Sequence, residues 1–289
     1  MLPGSRLLRL ALVGFGSLAA WSAGQPAPAR AEEPQPPRRR CSGEMVEVRG
    51  FCIDRWESST VDAKTGQPLS PYYPPLPAEL DAVWDYWTLE ARALGNAAAR
   101  SLPLPEISEW QRKNRFAPRS VARPGAIPQG YLSYYSAKKS CENAGKRLCT
   151  EREWVTACGG ERGFKFPYGD KYRALACNVY RHFHPASYLH ENASLGHRDP
   201  RLNLLVEDGS DPLLRPTGST ADCASRWGAD AIYDMVGNID EWVEGDARPA
   251  FVGGFYARST YKGCEAKVDA HAAPYYDYST GTRCCTNLR

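Results

Sequence analysis

The chain has 289 residues, a formal net charge of +3, 43% hydrophobic residues and ten cysteines. Its first segment, which we expect to be removed, carries Arg6, Arg9 and Arg30 and no acidic residue, so the rest has no net charge. This balance gives no support to nucleic acid or an anionic surface as a partner. About 250 residues allow one large domain or two small ones.

Residues 1–31 have the pattern of a secretory signal peptide. Two arginines precede an apolar run over residues 10–24, and Ala29 and Ala31 offer a cleavage site before Glu32. The alternative is an uncleaved membrane anchor, but the run is shorter than the ~20 apolar residues of a spanning helix. We therefore expect cleavage, no membrane span in the product, and a secreted or periplasmic location.

All ten cysteines follow this segment, and their number is even. Disulfides persist in oxidising compartments such as the extracellular space or a bacterial periplasm. The cysteines thus indicate export independently of the signal pattern. The alternative is structural zinc, but the paired C-x-x-C or closely spaced histidine ligands typical of zinc do not occur.

Residues 32–40 are rich in proline and charge, which is typical of a solvated linker. A single domain over residues 41–289 then begins with two predicted strands, Met45–Val48 and Phe51–Asp54, around a turn at Arg49-Gly50. These strands would form a hairpin.

The next predicted elements are a helix and a loop. Residues 79–100 have helical composition, with apolar residues near a 3.6-residue period at Leu80, Val83, Trp84, Trp87 and Leu94. Residues 101–130 contain five prolines and are predicted to form an irregular loop that covers the surface.

Two shorter helices are predicted with defined ends. The first covers Ser136–Asn143 and ends at Gly145. The second begins at Thr150, whose hydroxyl and the Glu153 carboxylate can form a capping box, and stops at Gly159-Gly160. After Phe166 the chain has few helix signals.

A series of motifs in chain order carries a family resemblance. They are residues 51–57 (FCIDRWE), 144–154 (AGKRLCTEREW), 166–169 (FPYG), 177–178 (CN), 233–242 (YDMVGNIDEW), 253–254 (GG) and 281–284 (GTRC). In this order they resemble the formylglycine-generating enzyme family, also called sulfatase-modifying factor. The resemblance covers roughly residues 45–285, apart from an insertion at about 60–125. It implies an α+β, C-type-lectin-like, disulfide-rich fold with little regular secondary structure.

The resemblance also implies disulfide pairs. Family members pair the cysteines matched here by Cys141 and Cys284, and those matched by Cys158 and Cys264. Cys285 must bond elsewhere than its neighbour, since adjacent strand residues face opposite sides. The remaining cysteines are then assigned as Cys149–Cys285, Cys177–Cys223 and Cys41–Cys52. The alternative is one reactive thiol pair among the ten.

Two structural calcium sites are expected from the resemblance. The first combines side chains of Asp234 and Glu241 with carbonyls of Gly237 and Ile239, and oxygen ligands of this kind suit Ca²⁺. The second combines Asn178, Val179, Asp208 and the carbonyl near Ser210. The alternative for the first is a solvated acidic turn. We interpret four further candidates as exposed loop residues and not as ligands of a transition metal: His182, His184, His190 and His197.

The family's catalytic copper pair is not matched. Family enzymes oxidise a substrate cysteine to formylglycine with O₂, using copper(I) held by two cysteines five residues apart after the Gly-Gly. Those positions fall at Arg258 and Gly263, next to Cys264. Copper(I) prefers soft thiolates, and a guanidinium has no lone pair to offer. The sequence therefore argues against a copper cofactor.

Two functions remain open. The first is a non-catalytic binding or scaffold module for an exported protein, peptide or glycan. Its cleft would be lined by late tyrosines, which can equally be core residues: Tyr256, Tyr261, Tyr275, Tyr276 and Tyr278. The second is an oxidoreductase that modifies exported proteins or peptides, by formylglycine formation on sulfatases or by a related oxidation.

Overall fold

The domain begins with the predicted hairpin. In the computed structural model of the protein, the described residues are 41–90, 94–180, 183–207, 211–258 and 260–288, without the side chains of Glu90 and Asp211. The predicted signal peptide and linker, residues 1–31 and 32–40, lie outside them.

The described strands are short and spread along the chain. In chain order they are β1 (Met45–Val48), β2 (Phe51–Asp54), β3 (Ser58–Asp62), β4 (Pro118–Ala122), β5 (Arg147–Leu148), β6 (Val206–Glu207), β7 (Asp211–Pro212), β8 (Ala224–Trp227), β9 (Asp230–Tyr233), β10 (Asp240–Val243), β11 (Ala250–Val252), β12 (Lys267–Val268), β13 (Thr280–Gly281) and β14 (Cys284–Asn287).

The described helices are α1 (Pro77–Asp85), α2 (Ala97–Ser101), α3 (Glu109–Lys113), α4 (Tyr134–Asn143), α5 (Glu151–Cys158) and α6 (Pro185–His190). A π-helical turn over Tyr86–Glu90 continues α1, and 3₁₀ turns cover Leu202–Leu204 and Gly263–Glu265. The mixture of short strands, short helices and long connections gives an α+β fold.

Two four-stranded sheets organise the domain. The first has the order β1-β2-β14-β5, so it joins the start of the domain to its end. The second has the order β12-β11-β10-β13, with β10 and β13 parallel. The strand pairs β3-β4, β6-β7 and β8-β9 stand apart. No helix within the described ranges has the length and apolar character needed to cross a membrane.

Both predicted helices form, and the predicted start of the second is confirmed. The first, α4, begins at Tyr134, two residues before the predicted Ser136. Ser133 caps α4 through a reciprocal bond with Ser136, and Gly145 follows the helix with a φ of 69°. Thr150 and Glu153 form the predicted capping box of α5. Such caps satisfy backbone N–H groups that a helix end leaves open, at about 0.5–2 kcal/mol each.

Five disulfides cross-link the described part of the domain, and one of them, Cys141–Cys284, joins α4 to β14. They are Cys41–Cys52, Cys141–Cys284, Cys149–Cys285, Cys158–Cys264 and Cys177–Cys223. These are the pairs expected from the sequence. Cys284 and Cys285 are neighbours on β14 and bond to different partners, as strand alternation requires. The Cys141–Cys284 bond spans 143 residues of sequence, so it restricts the unfolded chain strongly.

Two paired strands, β3 and β4, hold together the two ends of the insertion at residues 60–125. β3 and β4 pair antiparallel from Ser58↔Ala122 to Asp62↔Pro118. The prediction of an irregular loop over residues 101–130 is therefore wrong in part, because this stretch also contains α3. Pro118 is tolerated since it stands at the first position of its strand.

The single helix predicted over residues 79–100 is also wrong. It is divided into α1, the π-helical turn and α2, with residues 91–93 outside the described ranges. Gly95 has a φ of 87°, and the Asn96 side chain accepts from the Ala99 N–H to start α2 afresh. The predicted periodicity holds up to Trp87, which is buried, and fails at Leu94, which is 48% exposed.

Candidate functional site

An ion pair occupies the first copper position. Arg258 follows β11 and the Gly253-Gly254 turn, and its Nη2 lies 2.5 Å from Oδ1 of Asp240 at the start of β10. The Asp240 side chain is fully buried, while that of Arg258 is 33% exposed. Burial raises the pKa of Asp240 to about 7, although the Arg258 charge acts to lower it. The guanidinium is therefore the neutralising partner of a buried carboxyl.

The second copper position has no side chain at all. Gly263 has a φ of 60°, and a Cβ there would overlap the Lys165 carbonyl oxygen and approach the Phe166 ring to 2.9 Å. Its neighbour Cys264 is bonded to Cys158. All ten cysteines lie among the described residues, and none of them is free.

The residues at this position therefore do not fit copper(I). A copper(I) centre needs soft thiolate or thioether ligands. The structure supplies a guanidinium, a glycine and a sulfur already bonded to another sulfur. Sequence reasoning found the two substitutions, but it did not find Asp240, whose role depends on burial and on a contact across 18 residues.

The loop before β10 carries the first predicted calcium site. Asp234, Gly237 and Asn238 have φ values of 58°, 85° and 59°, in the left-handed region. A Cβ at Gly237 would overlap the Asn178 carbonyl, so only glycine fits. The backbone carbonyl of Asn178 accepts a hydrogen bond from the Asn238 N–H at 2.8 Å. The side-chain amide of Asn178 donates to Oδ1 of Asn238 at 2.9 Å.

Asn178, a residue of the second predicted calcium site, therefore contacts the loop that carries the first predicted site. Asn178 and Val179 are described residues, and Val179 packs at Gly237. Asp208 and Ser210 lie outside the described residues, so the second site stays a prediction.

The two acidic residues of the first site belong to a buried charge cluster. Glu241 accepts from Arg283, with closest distances of 2.7 and 2.8 Å to Nε and Nη2, and from the Trp154 indole at 2.6 Å. Asp234 accepts from the Gly218 N–H at 2.6 Å.

A third carboxylate, Glu57, completes this cluster. Both of its oxygens accept from the Asn238 side-chain amide. Burial, then the charges of Asp234 and Glu241, raise the pKa of Glu57 well above its usual range. Burial also raises the pKa of Asp234 to about 6. Three carboxyl groups face the guanidinium of Arg283, and their mutual repulsion and burial favour protonation of Glu57 where no further cation is bound. Sequence reasoning did not find Glu57 or Arg283.

The residues of the first site fit a calcium ion in donor type and charge. Their oxygens are the hard donors that Ca²⁺ prefers. Three N–H donors occupy Glu241, whose carboxylate offers about four lone-pair sites. Among the described residues no group of three or more His, Cys, Asp or Glu side chains is arranged to hold a metal ion. Carbonyl oxygens would therefore have to complete the site.

The described histidines have separate structural roles. His184 bonds Tyr278 at 3.0 Å, His190 bonds Asp199 at 3.0 Å, and His197 contacts the Ala193 carbonyl. The interpretation as exposed residues is wrong for His190, whose side chain is 5% exposed because α6 packs it against Trp87. It is not confirmed for His184 and His197, which are half-buried. His182 lies outside the described residues.

The late tyrosines do not line one cleft. Tyr256 and Tyr278 are buried in the core, at 0% and 1% exposure, and Tyr275 bonds Asp277. Tyr261 is 64% exposed beside Tyr172, away from the others. Of the five predicted residues, Tyr276 alone is in the wall of the large cavity described next. The alternative interpretation as core residues is correct for Tyr256, Tyr276 and Tyr278, which belong to one buried cluster.

A cavity of about 610 Å³ lies between the insertion and the segment after α6. Six of its lining residues belong to the insertion and six come from later in the chain; the members are Ala82, Val83, Tyr86, Trp87, Leu94, Gly95, His190, Leu195, Gly196, His197, Arg198 and Tyr276. Sequence reasoning missed this cavity. The apolar periodicity of α1 is the one sequence feature that points to this cavity.

Comparisons with known proteins agree with the motifs. A match to the family described as "Sulfatase-modifying factor enzyme 1-like domain" covers residues 31–279. The "Inactive C-alpha-formylglycine-generating enzyme 2" of Mus musculus is 25% identical over 155 residues, which is 51% of this chain and 44% of that protein. Its counterpart in Bos taurus is 28% identical over 142 residues, 46% of this chain and 40% of that protein. The chain thus matches less than half the length of these relatives.

Solved structures give more distant similarities. CarF has a TM-score of 0.38 at 14% identity, covering 83% of this chain and 87% of that one. PvdO from Pseudomonas aeruginosa has a TM-score of 0.37 at 18% identity, covering 82% of this chain and 80% of that one.

Proposed function

Because the chain belongs to the sulfatase-modifying factor enzyme 1-like domain family, we propose that it is an exported, non-catalytic binding or scaffold module on that domain. The observation that carries the proposal is the Arg258–Asp240 ion pair at the first copper position. A fixed positive charge, bound to a buried carboxyl, stands where the resemblance places a copper thiolate. The disulfide of Cys264 removes the nearest substitute.

Two further observations support the proposal. The mouse and bovine relatives both bear the word "inactive" in their names. Five disulfides with no free cysteine are typical of an oxidising compartment, which supports export. Its partner in that compartment would be an exported protein, peptide or glycan.

The test is a copper and aldehyde assay on the full chain. The protein is incubated with copper(I), O₂ and a cysteine-containing sulfatase peptide, and peptide aldehyde is measured by mass spectrometry. We expect no stoichiometric copper and no aldehyde above a protein-free blank. Copper-dependent turnover would establish the oxidoreductase function instead. A Cys158→Ser/Cys264→Ser variant would then show whether Cys264 supplies the sulfur.

We also propose that Asp234 and Glu241, with the carbonyls of Gly237 and Ile239, hold a structural calcium ion. The burial of Asp234, Glu241 and Glu57 beside one another supports this, since a divalent cation would stabilise the ionised forms of three carboxyls that Arg283 alone does not balance. The ion would supply no chemistry beyond cross-linking this loop to β10.

Calcium removal should lower stability. At calcium 100-fold above the dissociation constant, binding adds about 2.7 kcal/mol to the free energy of unfolding. We expect the unfolding temperature to fall on chelation and to recover with calcium but not with magnesium, which demands a tighter octahedral site. In Asp234→Asn, whose side chain keeps only one ligand oxygen, the calcium response should shrink. An unfolding temperature indifferent to chelator would contradict the site.

A further inference from the structure

Half of the residues that line the large cavity come from the part of the chain that the family resemblance leaves unmatched. Ala82, Val83, Tyr86 and Trp87 come from α1 and the π-helical turn. The opposite wall comes from residues 190–198. A volume of about 610 Å³ is within the range of small-molecule sites, roughly 300–1,000 Å³.

The walls of this cavity are mostly apolar. Val83 and Trp87 are each 4% exposed and form the buried apolar part of the lining. Tyr86, Leu94 and Leu195, at the rim of the cavity, are 43%, 48% and 54% exposed. Exposed apolar side chains grouped around a concavity are a mark of a binding site. A sugar would need many hydrogen-bonding groups, and this wall offers few, so an apolar body fits better.

The polar groups of the cavity favour an anion. The Arg198 guanidinium lies 4.3 Å from the Tyr276 ring centre, and both line the cavity. Of the described residues, no aspartate or glutamate is in the lining. The nearby carboxyl of Glu79 has its pKa raised to about 7 by burial, although Arg198 acts to lower it.

The indole N–H of Trp87 adds a donor. It is buried and has no hydrogen-bond partner among the described residues. A buried donor without an acceptor is destabilising, and a ligand oxygen would satisfy it. By contrast, His190 is already bonded to Asp199, which Arg201 also holds.

We propose that this cavity binds a small amphipathic anion, with its aromatic or aliphatic body on Val83 and Trp87 and its acid group at Arg198. The proposal rests on the proposed binding role of the domain and names the class of ligand for it. It does not involve Arg258 or any cysteine.

The test compares two dyes that differ by one charged group. 8-Anilinonaphthalene-1-sulfonate has an aromatic body and a sulfonate, and N-phenyl-1-naphthylamine has the same rings without the acid. Fluorescence titration of the full chain should show one sulfonate dye per chain, bound at least about tenfold more tightly than the neutral dye. Equal affinity for both dyes would overturn the proposal.

Two variants locate the site. Ala82→Trp fills the cavity from its exposed side, and Arg198→Gln removes the charge; each should weaken sulfonate binding by about tenfold or more. Their matched controls are Ala229→Trp and Arg152→Gln, at exposed positions outside the lining, which should bind as the parent does. Unchanged binding in Arg198→Gln would overturn the proposal even if Ala82→Trp failed to fold. The aldehyde assay examines a different part of the molecule, so the two proposals fail separately.

Discussion

Replacing Arg283 by methionine should lower the free energy of unfolding by about 3–5 kcal/mol, because it removes the cation from a buried group of carboxylates. Arg283 is fully buried, and its guanidinium bonds Glu241, the Asp54 carbonyl at 3.1 Å and the Tyr233 carbonyl at 2.8 Å. Methionine has similar length and no charge. Glu241 would then be left with the Trp154 indole as its remaining described donor.

The effect should be far larger than that of a surface pair. Arg173 pairs with Asp222 at 3.1 Å, but their side chains are 56% and 70% exposed. Arg173→Met is therefore the matched control, with an expected loss of about 0–1 kcal/mol. Both losses are measured by urea unfolding in the presence of chelator, so that calcium uptake does not mask the missing charge.

A double variant separates charge from packing. Glu241→Gln/Arg283→Met removes one charge of each sign, so it should be more stable than Arg283→Met alone. If the double variant is no more stable than the single one, the loss comes from packing and the electrostatic account is wrong. A single-variant loss as small as that of Arg173→Met would contradict it as well.

Local features of this fold could be predicted from the sequence, since their causes are local. The hairpin of β1 and β2 follows from two short apolar runs around Arg49-Gly50. The cap of α5 follows from a hydroxyl and a carboxyl residue at fixed spacing, whereas the Ser133 cap of α4 is not among the sequence predictions. The cysteine pairs were reached through the resemblance and through alternation on a strand, not through distance.

Features that depend on contacts between distant residues could not be predicted. Asp240 has no role in the sequence predictions beyond its place in the motif at residues 233–242, yet in the structure it is the buried partner of Arg258. Likewise, the insertion was predicted as a helix and a loop, because nothing local indicates that β3 pairs with β4 some sixty residues away. The cavity needs α1 to meet the segment after α6, which lies about a hundred residues later in the chain.

Restoring the two copper cysteines should fail to restore a copper site. In Arg258→Cys/Gly263→Cys the first change leaves Asp240 buried without its cation, and the second puts a Cβ into the Lys165 carbonyl. A side chain at a φ of 60° costs about 1–2 kcal/mol, and overpacking adds about 1–3 kcal/mol. We therefore expect a destabilised protein that binds no stoichiometric copper(I) and forms no peptide aldehyde.

The backbone part of this prediction has a control at another glycine. Gly125 has a φ of 73°, but a Cβ there meets nothing within 4 Å. Gly125→Ala should lose only the conformational cost of about 1–2 kcal/mol. Gly263→Ala should lose about 2–5 kcal/mol, because it bears the overlap with the Lys165 carbonyl as well.

These outcomes decide how far the chain has departed from a copper enzyme. If Gly263→Ala were no worse than Gly125→Ala, the segment around Gly263 could accept a ligand side chain, and loss of copper would rest on Arg258 alone. If the double cysteine variant gained copper and aldehyde formation, two substitutions would separate this domain from catalysis. If both results follow the prediction, the backbone at Gly263 and the buried carboxyl of Asp240 have adapted to a site without metal, and reversing the side chains alone cannot bring it back.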